Sequence, residues 1–116
     1  MDVSFLLSAD ELFTLMSLST SRTGSGQLFA DEALAGAGLD DLSGLVDKKL
    51  ARRFGEELEL MPVVRMISDA LSRAEGIERS GETWNVRSPW VSLRCERYLY
   101  NEGLWKITPV MEDVTI

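Results

Sequence analysis

The chain lacks histidine altogether, although it is 116 residues long. Imidazole is the group that exchanges protons near neutral pH in Ser-His-Asp and Cys-His sites, and it is the commonest nitrogen ligand of catalytic and structural metals. These classes of site are therefore excluded. We expect the chain to contain no catalytic, cofactor-binding or metal-binding residues, and we predict that it is not an enzyme.

Cysteine and long apolar runs are also scarce. The single cysteine, Cys95, cannot close a disulfide within the chain, and its place in an alternating apolar pattern with Val91 and Leu93 predicts a buried thiol. No apolar run approaches the ~20 residues that a membrane helix needs, and the first residues lack the positive flank of a secretory signal. We expect a single cytoplasmic domain over residues 1–116 that has no contact with membranes.

Basic residues are few in the first part of the chain. The sequence up to Asp47 contains eight acidic residues and one basic residue, Arg22, so this part carries the whole net charge of -7. Such a field repels phosphate backbones and anionic membranes, and it attracts basic protein surfaces. We therefore expect a protein partner and disfavour nucleic acid, while a charged surface that only keeps the domain soluble stays an alternative.

The N-terminal residues predict a short strand followed by a helix. Val3 to Leu7 is an apolar run, and Ser8 with Glu11 has the spacing of a capping box that starts a helix at Ala9. The polar stretch that follows is rich in Ser and Gly, which predicts a mobile loop over about residues 19–27.

Two further short helices are predicted before the middle of the chain. One covers Ala30 to Ala37 and ends at the glycines there, and the next begins at Asp40 or Asp41. Residues 50–60 then allow two interpretations, a continued helix to Phe54 or a hairpin that reverses at Gly55. We favour the hairpin, because Leu58 and Leu60 alternate with glutamates.

The strongest helix prediction follows Pro62. Its apolar residues recur at helical spacing, and Gly76 is expected to end it as a left-handed cap. The last third is rich in β-formers and predicts an antiparallel meander over residues 83–87, 90–100 and 104–108. The predicted fold class is α+β, with helices packed on one face of an antiparallel β-meander and a helix-hairpin segment that resembles a winged helix.

Aromatic residues in the meander form the candidate protein interface. Alternation along the strand from Trp90 places Val91, Leu93 and Cys95 on one face and the candidate residues on the other. The candidate interface consists of Trp90, Arg94, Tyr98 and Tyr100. In the alternative, a helix covers this face or the strand is bulged, and the aromatic residues belong to the core.

Basic residues around the predicted hairpin define an alternative function. Lys48, Lys49, Arg52 and Arg53 follow a helix in the order in which a winged helix presents its recognition helix and wing to DNA. The alternative function is accordingly a DNA-binding regulator. A second alternative is an enzyme that uses only carboxylates and arginines, for which no motif in the chain argues.

Several segments of the chain together resemble a known family. These are Phe5–Leu12, Leu45–Leu50, Arg52–Leu60, the helix after Pro62 and the strand Leu104–Pro109. Their order resembles the N-terminal half of the EspG-type proteins that accompany type VII secretion systems, together with their relatives in Gram-positive bacteria.

The resemblance implies a non-enzymatic chaperone or adaptor that binds secreted helical substrates in the bacterial cytoplasm. Members of that family have two similar halves in one longer chain, whereas this chain supplies one. Two copies pairing as a homodimer would supply the equivalent of both halves, through the candidate interface or through a sheet edge.

Overall fold

A computed structural model describes residues 4–18, 22–89, 91–98 and 103–110. In this part of the chain four helices and seven strands follow one another in an order that begins and ends with a strand. The elements are β1 (Phe5–Ser8), α1 (Ala9–Ser17), α2 (Gly24–Ala33), α3 (Ser43–Asp47), β2 (Ala51–Phe54), β3 (Glu57–Leu60), α4 (Pro62–Ser72), β4 (Gly76–Ser80), β5 (Thr83–Arg87), β6 (Ser92–Arg97) and β7 (Leu104–Val110).

Five strands form one antiparallel sheet in the order β1-β7-β6-β5-β4. Strands β4 to β7 follow one another as a meander, and β1 returns to pair with β7 at the far edge. The register places Trp84 opposite Cys95, Cys95 opposite Ile107, and Trp105 opposite Leu7. Opposite residues share a face, so these apolar side chains form one continuous surface.

The helices cover this apolar surface of the sheet. Phe29 of α2 lies edge-on to two tryptophans, with ring centroids 5.7 Å from Trp84 and 6.4 Å from Trp105. Ile67 and Leu71 of α4 are fully buried in the same cluster. The predicted α+β fold, with helices on one face of an antiparallel meander, is confirmed.

Side chains satisfy backbone groups at both ends of α1 and just beyond the end of α4. The Ser8 hydroxyl accepts from the Glu11 N–H at 3.0 Å, and the Glu11 carboxylate accepts from the Ser8 N–H at 2.8 Å, so the predicted capping box is present. At the other end of α1, Ser68 of α4 donates to the Leu15 carbonyl at 2.6 Å. Thr23 donates to the Ala74 carbonyl just beyond α4 at 2.6 Å. These contacts fix three helices relative to one another.

The predicted loop over residues 19–27 is wrong from Gly24 onward. The structure begins α2 at Gly24, with the Thr23 hydroxyl accepting from the Gly26 N–H at 3.1 Å as an N-cap. Residues 19–21 lie outside the described residues. Gly26 is needed there because a Cβ would come within 2.7 Å of the Leu71 carbonyl oxygen. The glycine that favoured a loop instead lets two helices approach closely.

Two other boundaries differ from expectation. Gly76 does not cap α4 but begins β4, a strand that the sequence did not predict, and the C-cap of α4 is Arg73. Strand β4 was missed because its outer residues, Glu78 to Ser80, are exposed and polar. The third helix is confined to Ser43–Asp47, since Leu42 before it has a left-handed φ of 61°.

The hairpin interpretation of residues 50–60 is confirmed. Strands β2 and β3 pair as a separate two-stranded sheet, with Arg52 opposite Glu59 and Phe54 opposite Glu57. Gly55 in the turn has a φ of 60°, which a glycine adopts without strain.

Within the described residues, no helix is long and apolar enough to cross a membrane.

Candidate protein-binding surfaces

Strand β6 alternates between the core and the opposite face of the sheet, as predicted. Leu93 and Cys95 are fully buried, whereas Arg94 is exposed and Tyr98, just after the strand, is half-buried. The Arg94 Nε lies 2.8 Å from the Glu96 Oε1 in an ion pair. The other two residues of the predicted interface, Trp90 and Tyr100, lie outside the described residues.

The face that carries Arg94 is a mosaic of polar and charged groups. Its register pairs Glu96 with Lys106 and Arg94 with Thr108, and the Thr108 hydroxyl lies 2.8 Å from that of Ser4. We call this surface the open sheet face and define it by Ser92, Arg94, Glu96 and Lys106, whereas Thr108 on the same side of the sheet is buried. Antiparallel sheets commonly have one face on the core and one polar face.

The two described tryptophans belong to the core. Trp84 is 4% exposed and Trp105 is 1% exposed. Two arginines lie over their rings, Arg79 at 5.0 Å from the Trp84 centroid and Arg97 at 4.8 Å from that of Trp105. These two side chains are therefore part of the core, and the alternative for the aromatic residues of the candidate interface stays a prediction.

The basic cluster of the DNA-binding alternative is divided by the fold. Lys48 Nζ donates to the Leu6 carbonyl at 2.8 Å and lies 3.3 Å from the buried carboxylate of Glu11. Arg53 donates to the Asp41 carbonyl at 3.2 Å, and the Arg52 guanidinium lies 5.8 Å from the Phe54 ring centroid. Three of the four side chains thus have contacts within the protein.

The surroundings of that cluster also differ from those of a winged helix. The helix before the hairpin, α3, spans five residues and offers little length to enter a DNA groove. Lys49 follows it with a left-handed φ of 63°. The facing strand carries Glu57 and Glu59, whose charges oppose a phosphate backbone.

The sequence did not predict a groove that runs between β3 and α4. A cavity of about 460 Å³ lies there, and a second one of about 290 Å³ continues it toward the end of α1. Both share Leu60, Arg65 and Asp69 in their walls. We call this surface the α4 groove and define it by Leu18, Leu58, Glu59, Leu60, Pro62, Arg65, Met66, Ser68, Asp69, Ser88 and Val91.

The α4 groove has a mainly apolar floor, which also includes the buried Ser68 and Ser88, and a polar rim. Three half-buried side chains of the floor pack against the hydrophobic core, namely Leu58, Leu60 and Met66. Glu59 and Arg65 on the rim are exposed. The alternation of Leu and Glu in β3 was the signal for this surface, but only the fold shows that α4 leaves its edge uncovered.

Among the residues that the structure describes, Asp41 and Cys95 have a pKa displaced from its ordinary value, and neither lies in the groove. Burial raises the pKa of the Cys95 thiol far above its usual range, with a smaller contribution from Glu96, so the thiol stays protonated and unreactive. Hydrogen bonds from Ser43 hold the pKa of the exposed Asp41 below its usual value. Among the described residues no cluster of three acidic or cysteine side chains could hold a metal ion.

Fold and surfaces together define an α+β domain with one polar sheet face and one apolar groove. Comparison of the chain with protein-family models, with curated proteins and with solved structures found no match.

Proposed function

We propose that this protein is a non-enzymatic protein-binding or assembly module of the bacterial cytoplasm. The α4 groove is the observation that carries the proposal. Its apolar floor and charged rim have the composition of protein interfaces, which have an apolar centre and a polar border. Met66 on the floor is a flexible and polarisable side chain of the kind that adapts to a partner surface.

Exposed apolar side chains outside the main core support the same function. Leu18 at the end of the groove is 55% exposed, and Leu39 is 75% exposed. The loop of Leu39 is held in place, because Gly38 N–H donates to Asp10 at 3.0 Å and Asp40 N–H donates to Thr14 at 2.6 Å. A side chain displayed by a fixed backbone loses little further freedom when it binds.

The finer form of the proposal is a secretion-associated chaperone or adaptor of the type VII kind. It is supported by the resemblance of the chain to half of an EspG-type protein and by the charge of -7, which suits a basic protein surface. The partner is then a secreted helical protein or a second copy of the chain, with Trp90, Arg94, Tyr98 and Tyr100 as the candidate interface between copies.

A photo-crosslinking experiment tests the protein-binding function. A photoreactive amino acid replaces Met66 in the groove, and in a matched control it replaces Glu78, which is exposed on β4 and lines neither cavity of the groove. We expect a discrete covalent adduct with one protein species in the native cells from position 66 and none from position 78. Equal labelling from both positions, or none from either, would contradict the proposal.

Light scattering on a size-exclusion column tests the homodimer separately. We expect a dimer at tens of micromolar that dissociates in the Tyr98→Ser variant, while circular dichroism shows that the variant is still folded. A monomer at every concentration would remove the homodimer and leave the partner as a different protein.

The DNA-binding alternative stays a prediction, and the contacts of Lys48 and Arg53 within the protein weigh against it. Salt-dependent retention on a DNA column would favour it. The alternative of an enzyme built on carboxylates and arginines is likewise a prediction with no supporting geometry in the α4 groove.

A further inference from the structure

We infer that the α4 groove binds an extended segment of a partner protein, which adds to β3 as a third strand and in which basic and apolar residues alternate. This inference rests on the proposed protein-binding function and specifies the chemistry of the partner at that site. It depends on three features of the hairpin, namely the direction of its backbone groups, its position in the groove and the pattern of its side chains.

The outer edge of β3 has backbone groups available for pairing. The two-residue turn at Gly55 and Glu56 makes the pairs Phe54–Glu57 and Arg52–Glu59 exchange backbone hydrogen bonds. The bond from Met61 N–H to the Leu50 carbonyl at 3.0 Å continues the same alternation. The N–H and C=O groups of Leu58 and Leu60 therefore point away from β2, and no other described group pairs with them.

This edge lies on the wall of the groove. Leu58, Glu59 and Leu60 line the two cavities, and no described residue of β2 does so. The opposite wall is α4, with Arg65 and Met66. A strand added to β3 would thus run between the hairpin and α4. A two-stranded sheet alone is marginally stable, so a third strand also stabilises the hairpin.

The edge of the large sheet next to α3 shows the opposite arrangement. On β1, the Leu6 carbonyl accepts a hydrogen bond from Lys48 at 2.8 Å. The lysine comes from the end of α3, and covering an edge strand with another part of the chain is a common means of preventing a further chain from pairing there. No described side chain protects Leu58 and Leu60 of β3 in this way.

The side chains of β3 determine which segment fits. Glu57 and Glu59 are exposed on one face, and Leu58 and Leu60 are half-buried on the other. Neighbours across a ladder share a face, so basic residues would lie beside the glutamates and apolar residues beside the leucines. Arg52 is opposite Glu59, but its guanidinium lies over the Phe54 ring, and no ion pair joins Arg52 to Glu59 among the described residues.

A second copy of the chain does not satisfy this pattern. Two β3 edges that pair with each other share faces, so Glu57 and Glu59 of one copy would lie beside the glutamates of the other. Like charges directly opposite are destabilising. The occupant is therefore a segment of a different sequence, with lysine or arginine where β3 has glutamate.

Synthetic peptides test the inference directly with the full chain. The probe has about ten residues in which lysine and valine alternate, and its control has the same composition with valines at helical spacing. Fluorescence anisotropy of labelled peptides is expected to show at least about tenfold tighter binding of the alternating peptide. Equal affinities would overturn strand addition in favour of charge attraction or helix binding.

Backbone methylation of the peptide tests the pairing without changing the protein. In one version the backbone amide nitrogens of the valines are methylated, and in the other version those of the lysines are methylated. Only one of these sets faces β3, the valines in antiparallel addition and the lysines in parallel addition. We expect one version to lose binding and the other to keep it, whereas equal effects of the two would overturn the inference.

Charge reversal tests the chemical class of the segment. The double variant Glu57→Lys with Glu59→Lys is expected to bind the lysine peptide about tenfold more weakly, which corresponds to two cross-strand charge pairs. It should also prefer a peptide that alternates glutamate and valine. The control Glu56→Lys changes a charge in the exposed turn outside the strand and is expected to change the affinity less than the double variant does.

The outcomes separate this inference from the proposed function. A crosslinked partner at position 66 together with no preference among the peptides would overturn strand addition and leave protein binding in place. A missing adduct at position 66 together with no peptide binding would overturn both.

Discussion

Two parts of the molecule bury their apolar side chains to different degrees. We call the five-stranded sheet with the helices packed on it the sheet half, and the hairpin of β2 and β3 the hairpin half. In the sheet half, Phe29 of α2 and Ile107 of β7 are fully buried in one hydrophobic core. In the hairpin half, Leu58 and Leu60 are half-buried and Phe54 is 55% exposed. The backbone differs in the same way at one edge of the large sheet, because Lys48 donates to the Leu6 carbonyl of β1, whereas no described group bonds to the outward backbone groups of β3.

The difference shows which half maintains the fold and which half is available for binding. A fully packed core gains the largest stabilisation per residue and leaves little surface for a partner. A hairpin with an uncovered edge gains less and keeps hydrogen-bonding groups free for another chain. Binding surfaces are commonly found in such less stable parts of a domain.

The largest effect is expected from opening the core of the sheet half. Phe29→Ala removes a fully buried ring that lies against both Trp84 and Trp105, and it should lower the free energy of unfolding by about 3–5 kcal/mol. The matched control, Phe54→Ala in the hairpin, should change it by less than about 0.5 kcal/mol. Urea denaturation measures both, and similar losses in the two variants would contradict the contrast between the halves.

A smaller loss is expected where two helices approach each other. In Gly26→Ala the new methyl group would lie 2.7 Å from the Leu71 and Ser72 carbonyl oxygens, which should cost about 1–3 kcal/mol. Gly24→Ala, two residues earlier in α2, finds nothing within 4 Å and should be neutral or stabilising by less than about 1 kcal/mol. If the two variants unfold at the same urea concentration, the packing of α2 on α4 is not as described.

The capping box at the start of α1 should contribute about 1 kcal/mol. Ser8→Ala leaves the Glu11 N–H without its acceptor and should destabilise the protein by that amount. Ser17→Ala removes only an exposed hydroxyl that donates to the Phe13 carbonyl within the same helix, so a change below about 0.5 kcal/mol is expected. Thermal unfolding followed by circular dichroism distinguishes the two, and a larger loss in Ser17→Ala would contradict this account.

The smallest effect concerns the pH dependence of stability near α3. Because Ser43 holds the pKa of Asp41 below its ordinary value of 3.8, the folded state favours the ionised carboxylate. Its contribution to stability is present above pH 3.8 and is lost as the pH falls through the lowered pKa. The melting temperature of Asp41→Asn should therefore lie below that of the unchanged protein at pH 7, and the gap should narrow toward pH 3; a gap that widens would contradict the assignment.

The parts of the fold that were predictable are those with a strong local signal. Ser8 with Glu11 marked the start of α1, Pro62 marked the start of α4, and the alternation in β3 indicated the hairpin. Each of these depends on contacts within a few residues in sequence, which is why the sequence alone was sufficient.

The features that the sequence did not predict, namely the start of α2, strand β4 and the α4 groove, depend on contacts between segments that are distant in sequence. Gly24 and Gly26 suggested a loop, but this segment is a helix, which packs closely on Leu71 and is held by hydrogen bonds from Thr23 to Ser72 at the end of α4 and to Ala74 beyond it. Residues Glu78 to Ser80 of β4 are exposed and polar, so only the pairing of this strand with β5 identifies it. The α4 groove forms between elements whose relative positions no local pattern encodes.

Amide hydrogen exchange in the free protein is the most direct test of the central claim that β3 has an uncovered edge. The Glu57 and Glu59 amides donate to β2, and the Leu58 and Leu60 amides point into the α4 groove. We predict that exchange measured by nuclear magnetic resonance is markedly faster at Leu58 and Leu60 than at Glu57 and Glu59. Equal protection of all four amides would contradict the account, since it would mean that the edge is already paired.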